Sequence, residues 1–518
     1  MRTLYIICLL FLSVSCSNFL DVKPMGKLIP TEVEEYENLL NNVQTVNSYF
    51  LASNSSYLAC LADNLKISGL SAAHYFDPGT SAISNYTSYT FQAPYYEPNT
   101  TDFFWENGYK AMGIFNTVID GVSDVQTEQT SELARQLIAQ AKAARAWFYL
   151  SMSMIYGPVY NPAGNNDVKT IPYRTNSQPL VANPERATTA EVFKYAKQDI
   201  EDALKDIPRN VSNPCRFNLP AVQMLMAWYY MFTRDWNNML TYADLAWKEV
   251  IAQKGSEEAA LYNFNNFTYG IDENNREDDQ PDPEIDRDLQ GEDALIGLSY
   301  HRENLMYRQA AYGGTGVLYP SDEFLGLFDQ GKDLRYKLFA LKDNGYSVKV
   351  NDITYSDGLV RMYYRDYKMM NNQGFTTPEL LLMRAEAYAR TGALPEALAD
   401  LNLLRKFRYK GENESETDLP NGSSLNQDQL LEEILKERRR ELPIATFQRL
   451  LDLKRLSLDQ GKSWCKTQIE HKIDNTVYSA SLESDAFILP IPNTVILLNP
   501  QWQLSPDERP FNPVMYQQ

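Results

Sequence analysis

Tyr75, Phe76, Tyr95 and Tyr96 lie in one turn-rich stretch, HYFDPGTSAISNYTSYTFQAPYYEPN, with Asp63 and Asn64 upstream and Asn99 at its end. Aromatic faces pack on the C–H faces of sugar rings, and carboxylates or amides beside them take the ring hydroxyls. Exposed loops on a rigid scaffold are where such groups collect. A second loop-rich region, Gly297 to Pro320, adds Tyr312 beside Gly313 and Gly314. The chemistry expected of this set is capture of a neutral, hydroxylated ligand. The competing reading for each tyrosine is packing of its loop onto the body.

The remaining reactive residue types point away from catalysis. The three histidines, His74, His301 and His471, are far apart in sequence, which gives no support to a histidine-rich metal site or a histidine-dependent triad. Cys60, Cys215 and Cys465 are too scattered for a metal site or disulfide framework and read as buried thiols. The glycines around Tyr312 lack the Lys-Ser/Thr continuation of a phosphate loop. No pair of catalytic carboxylates or activated nucleophile can be singled out, so no enzyme activity and no cofactor are expected. Residues 272–293 carry eleven acids against two arginines and read as a solvated loop. Within it, Asp282, Glu284, Asp286 and Asp288 lack the glycine of an EF-hand loop, and no metal is assigned there. The net charge of −19 over 518 residues, without an offsetting basic stripe, argues against nucleic acid as a partner. The Lys/Arg-rich segment near Arg438 is local and interleaved with glutamates.

Helical pairs must position these loops. Thr377 to Arg408 reads as two amphipathic helices: Pro378 suits a first turn, Gly392 ends the helix, and Pro395 opens the next. Ala385, Tyr388 and Ala397 stand at tetratricopeptide spacing, and Ala227 with Tyr230 and Ala146 with Tyr149 repeat its small-then-aromatic step. A lone pair cannot bury its own face, so these units imply a shared helical core, unevenly spaced and supporting long loops. Further helices are expected over Phe103 to Val122, Thr130 to Tyr156, Thr188 to Ile207, Pro220 to Phe232 and Asp235 to Ala252. Another, Asp428 to Leu458, breaks near Pro443. Thr31 with Glu34 fits a capping box, and Ser321 fits a helix cap. Tyr346 to Ile353 and Leu359 to Tyr364 read as the two strands of a small hairpin, and FILPIPNTVILLNPQW reads as extended. The fold expected is mostly α, with minor β-hairpins.

The N-terminus reads as an export signal. An apolar run from Leu4 to Leu12 follows Arg2, is too short to span a bilayer, and leads through small residues to Cys16. That junction resembles a bacterial lipoprotein signal, in which the cysteine is diacylated and becomes the first mature residue. The expected organisation is a signal peptide over residues 1–15, a lipidated tether over 16–30, and one helical domain over 31–518. Its ligand face comprises residues 61–100 and 297–320.

Six segments, taken in order, resemble the SusD/RagB-like outer-membrane nutrient-uptake lipoproteins of Bacteroidetes. They are the Cys16-SNFLDVKPMGKLIP start, ARAWFYL with YGPV, YPSDEFLGLFD with KDLRY, LLLMRAEAYAR, KERRREL with DLKR, and FILPIPNTVILLNP. The chain departs from the pattern after Leu442, where a glycine and tryptophan often found in the family are missing. The resemblance implies a scaffold of tetratricopeptide-like helices with a loop-rich binding face, lipid-anchored at the outer membrane and facing the cell surface. It also implies a non-enzymatic role, handing glycan oligomers or polysaccharide to a SusC-like TonB-dependent transporter. Some members take peptide instead, as in RagB-like proteins. A tetratricopeptide scaffold binding only proteins and a helical glycoside hydrolase are the readings from other classes.

Overall fold

Local capping chemistry sets the helix boundaries, and small residues set how closely the helices pack. The computed structural model describes residues 30–42, 46, 56–77, 83–100, 103–178, 181–269, 289–290, 301–309, 318–363 and 372–517. The body is built from α1 (Val33–Leu40), α2 (Phe103–Gly121), α3 (Ser131–Ile155), α4 (Thr189–Asp206) and α5 (Leu219–Thr233). It continues with α6 (Trp236–Lys254), α7 (Thr377–Thr391), α8 (Leu394–Arg408), α9 (Gln427–Glu441) and α10 (Gln448–Leu456). Thr188 and Glu191 form a reciprocal capping box at the start of α4, as Asn426 and Gln429 do at α9. Thr376 caps α7, and Gly392 ends it at φ 87°, a left-handed conformation that costs a residue without Cβ little. At α1 the expected pairing is displaced by one residue. Glu35, not Glu34, accepts the Thr31 backbone N–H at 2.5 Å.

Successive helices pack in chain order from α2 to α8, and α9 packs on α7 and α8. Ala146, Ala196, Ala227, Ala243, Ala385 and Ala397 are fully buried, which lets the helix backbones approach. Tyr149 is buried with them, while Tyr230 and Tyr388 pack half-buried against the same core. The expected helical scaffold is therefore present. Residues 255–376 are inserted between α6 and α7, which nonetheless pack on each other. The described parts of that insertion join residues 57–89 in a second, aromatic-rich core containing Tyr75, Tyr86, Tyr89, Phe264, Phe324 and Phe339. The loop-rich region thus has an interior of its own.

The strands are short antiparallel pairs. Here the structure corrects the expected hairpin. Ser347–Val350 turns back on Ile353–Ser356 through Asn351 and Asp352, at φ 49° and 65°, the signature of a tight two-residue turn. Leu359–Tyr363 pairs instead with Ala340–Asn344. The C-terminal stretch is not extended throughout either, since Asn493–Leu497 is helical.

Charge runs through the interior. Four acids and four arginines alternate along α7, α9, α10 and their flanks in the order Glu379, Arg438, Asp452, Arg455, Glu386, Arg390, Asp459, Arg234. Successive contacts span 2.5–2.9 Å. A second network fastens the insertion to the body. Arg335 meets Asp333, Glu437 and Glu441, while Arg408 meets Glu303 and Glu441, all buried. Lys454 is buried without an acid. Its Nζ donates to the carbonyls of Met154, Gly157 and Phe487, and burial lowers its amine to about 7.

Candidate functional site

The loop-rich face begins at a short helix, Gly69–His74, closed at its N-terminus by a Ser68–Ser71 capping box. The helix starts against the turn at Asp474: a Cβ at Gly69 would overlap the Asp474 carboxylate, which would have to swing aside. Past its C-terminus, consecutive aromatics part. Tyr75 goes into the second core, whereas Phe76 stays half-buried, edge-on to Tyr86 at 5.0 Å. His74 lies 5.1 Å from the Tyr346 ring and 3.5 Å from the Asp77 carboxylate. Phe76, Tyr346, Tyr478 and Tyr516 form the half-exposed rim of the second core.

Hydrogen bonds hold that rim in place. Asp357 accepts from Ser68 Oγ at 2.6 Å and from Tyr319 Oη at 2.7 Å, and Tyr319 Oη in turn accepts the Tyr346 backbone N–H at 2.8 Å. Tyr516 Oη donates to Asp474 at 3.1 Å. Tyr86 donates to the Val514 carbonyl, tying the C-terminal segment to the same face. The result is a set of rings beside carboxylates, on a surface whose backbone is fixed from beneath.

The individual residues expected to bind are distributed differently. Tyr75 and Tyr95 are 2% and 1% exposed, so neither offers a ring face. Tyr95 donates to the Ala486 carbonyl at 2.7 Å, and burial raises the phenols of both. Tyr96 is half-buried, edge-on to Tyr57, with its hydroxyl 3.4 Å from the Pro490 carbonyl. Asp63 is buried among Arg449, Arg439 and Lys466 at 2.7–3.2 Å. Burial pushes that carboxyl up, but the cations outweigh burial and hold it well below the usual range. Asn64 is buried and accepts from Arg439 Nε at 2.8 Å. These two bind the protein's own cations, because their chain segment runs beneath α9 and α10 rather than over the surface. Asn99 is exposed and faces Asn493 at 3.4 Å. Phe76 is thus the expected ring that the structure keeps at the surface of this face. Tyr312, Cys16 and nearly all of residues 272–293 lie outside the described residues.

Sequence reasoning missed His74, Tyr346, Tyr478 and Tyr516. The alternating exposure of the strand pair Gln468–Ile473 and Thr476–Ser481 was a usable signal for Tyr478; nothing local marked the others. Two clefts were also missed. One, of about 730 Å3, is lined by Arg145, Asp199, Tyr173 and Tyr195 among charged neighbours. The other, of about 430 Å3, lies between α2, residues 172–177 with Asn183, and residues 495–502.

Two family models match the chain. SusD-like, described as starch-binding and associating with the outer membrane, matches residues 18–231, and the SusD family matches residues 377–504. The chain belongs to the SusD/RagB-like family. Comparison with curated proteins found no match. Among solved structures, a putative sugar binding protein from Bacteroides vulgatus is similar at 18% identity and a TM-score of 0.61, covering 92% of this chain and 98% of that one. A SusD superfamily protein from Bacteroides thetaiotaomicron gives 17% and 0.64, covering 90% and 98%. One from Bacteroides fragilis gives 17% and 0.63, covering 91% and 99%. These structures share the SusD fold.

The segment KERRREL, which carries part of the SusD/RagB resemblance, is an interior element here. Glu437, Arg438, Arg439, Arg440 and Glu441 are all buried; Arg439 meets Glu323 and Asp63, and the other four meet acids and arginines of the two networks. The family is a binding, non-catalytic one associated with the outer membrane. Among the described residues no helix is long and apolar enough to cross a membrane, and no group of His, Cys, Asp and Glu is arranged to hold a metal ion.

Proposed function

We propose that the chain is a non-catalytic, carbohydrate-capturing lipoprotein of the SusD/RagB-like family that takes up glycan oligomers or polysaccharide on its loop-rich face. The observation that carries this reading is the rim of His74, Phe76, Tyr346, Tyr478 and Tyr516 beside Asp77 and Asp474. Ring faces supply area for sugar C–H groups, and the acids supply acceptors for hydroxyls. The rim rests on a packed core, so little ordering is left to be done on binding. The starch-binding description of the SusD-like family and the similarity to a putative sugar binding protein from Bacteroides vulgatus support the same ligand class.

Cys16 is read as the lipid anchor and a SusC-like TonB-dependent transporter as the partner that receives the cargo. Native gels containing a panel of plant, host and microbial polysaccharides test the glycan reading. Retardation by at least one polymer, without release of products, is the expected outcome. Failure with every polymer, together with binding of peptides, would transfer the protein to the RagB-like peptide carriers.

A further inference from the structure

We infer that the cleft between α2, residues 172–177 with Asn183, and residues 495–502 is a second ligand site, one that takes a neutral sugar ring. The first observation is a glycine in the middle of α2. A Cβ built on Gly113 meets no atom within 4 Å, so no packing contact requires glycine there, although it is a poor residue for a helix interior. Gly113 lines the cleft and is itself exposed, so its missing side chain leaves that wall open.

The second observation is the chemistry of the walls. Trp105 and Trp502, each 6% exposed, and half-buried Tyr109 line the cleft with uncharged amides, and no carboxylate is found among the described lining residues. Arg174 is the one cation among the described lining residues, and it is spent within its own loop. It donates to the Asn176 and Gln178 carbonyls and to Asn183 Oδ1. A charged ligand would find no counter-ion, whereas a ring with one apolar face and a hydroxylated edge meets aromatic carbon and amides.

The third observation is that the walls are fixed before any ligand arrives. Trp502 Nε1 donates to the Pro184 carbonyl at 2.9 Å, Asn183 donates to Asn499 at 2.8 Å, and Asn116 accepts from Arg145 at 2.8 Å. The volume of about 430 Å3 falls within the range of small-molecule sites. The exposed Leu498, 82% accessible, stands among the lining residues and gives an incoming ring an apolar edge.

Fluorine NMR of the full chain labelled with fluorotryptophan tests this. Each of the seven tryptophans gives one resonance, assignable by single Trp→Phe replacements. The probes are maltoheptaose, cellohexaose, xylohexaose and mannohexaose. The expected result is a saturable shift of the Trp105 and Trp502 resonances with at least one probe. Gly113→Leu should weaken that shift's midpoint by roughly tenfold or more, and Gly113→Ala far less. The wild-type shifts do not depend on any variant folding. Absence of shifts at Trp105 and Trp502 with all four probes would overturn the inference, as would an unchanged midpoint in folded Gly113→Leu. The named rim residues of the loop-rich face include no tryptophan. Binding lost in Phe76→Ala with the two shifts retained would therefore separate the two sites, and affinity without the shifts would sink only the second.

Discussion

At the scale of single residues, position relative to the second core decides what an aromatic or acidic side chain does. Tyr75 and Phe76 are adjacent and alike in type, yet one fills the interior and the other faces out. Residue type was legible from sequence; which side of the loop became surface was not, because it depends on contacts with Tyr86 and the distant C-terminal segment. Asp63 makes the same point for charge. It faces three cations and pairs bidentately with Arg449, so Asp63→Asn should leave that largely buried guanidinium without its directly bonded carboxylate. Breaking such a pair costs about 3–5 kcal/mol. The expected outcome is a markedly lower denaturant midpoint with glycan affinity retained by the folded fraction. Lost affinity at unchanged stability would instead return Asp63 to the binding surface.

At the scale of elements, helices were the readable part. The pattern of Pro378, Gly392 and Pro395 fixed α7 and α8, and Thr188 with Glu191 fixed the start of α4, because caps and periodicity are local properties. The strand pairing was less readable, since Leu359–Tyr363 takes its partner from before the inner hairpin, a choice made by tertiary packing. The alternating charge ladder was hidden for the same reason: KERRREL has a solvated look until α7 and α10 cover it. That ladder predicts a pH response. Burial raises the Asp452 carboxyl, but Arg438 and Arg455 overcome this and hold it at about 2. A carboxyl lowered by folding stabilises the native state above the unfolded value near pH 4, and that contribution is lost as pH falls towards 2. From Asp452 alone this is on the order of 2 kcal/mol. Glu386, facing Arg455 and Arg390, is lowered as well and acts in the same sense. Glu379 opposes them, because burial raises it despite Arg438. Denaturant midpoints measured between pH 5 and pH 2 should fall through this window in the wild type. Arg455→Met should start lower and fall less; a parallel fall would place the acid response elsewhere.

At the scale of the whole molecule, a helical scaffold carries a separately cored loop face, and one network of buried charge fastens the inserted segment 255–376 to α8 and α9. The scaffold and the family were both legible in sequence, because segments such as LLLMRAEAYAR and KERRREL report largely interior positions of the helical body. The proposed ligand face was legible only as a region, because loop side chains carry no periodic signal. If Cys16 anchors the protein, Cys16→Ala should abolish incorporation of labelled palmitate and move the protein from the membrane fraction to the soluble one. Persistent labelling would refute the assignment.

The central claim, capture of glycan by an aromatic rim, is met most directly by calorimetric titration. An oligosaccharide cut from whichever polysaccharide retards the protein in native gels would be titrated into wild type, Phe76→Ala and Tyr346→Ala. The account predicts binding by the wild type and losses of roughly tenfold or more in both variants, with unchanged thermal unfolding, as expected when half-exposed stacking rings are removed. Wild-type affinity in both folded variants would contradict it and move glycan capture away from this rim.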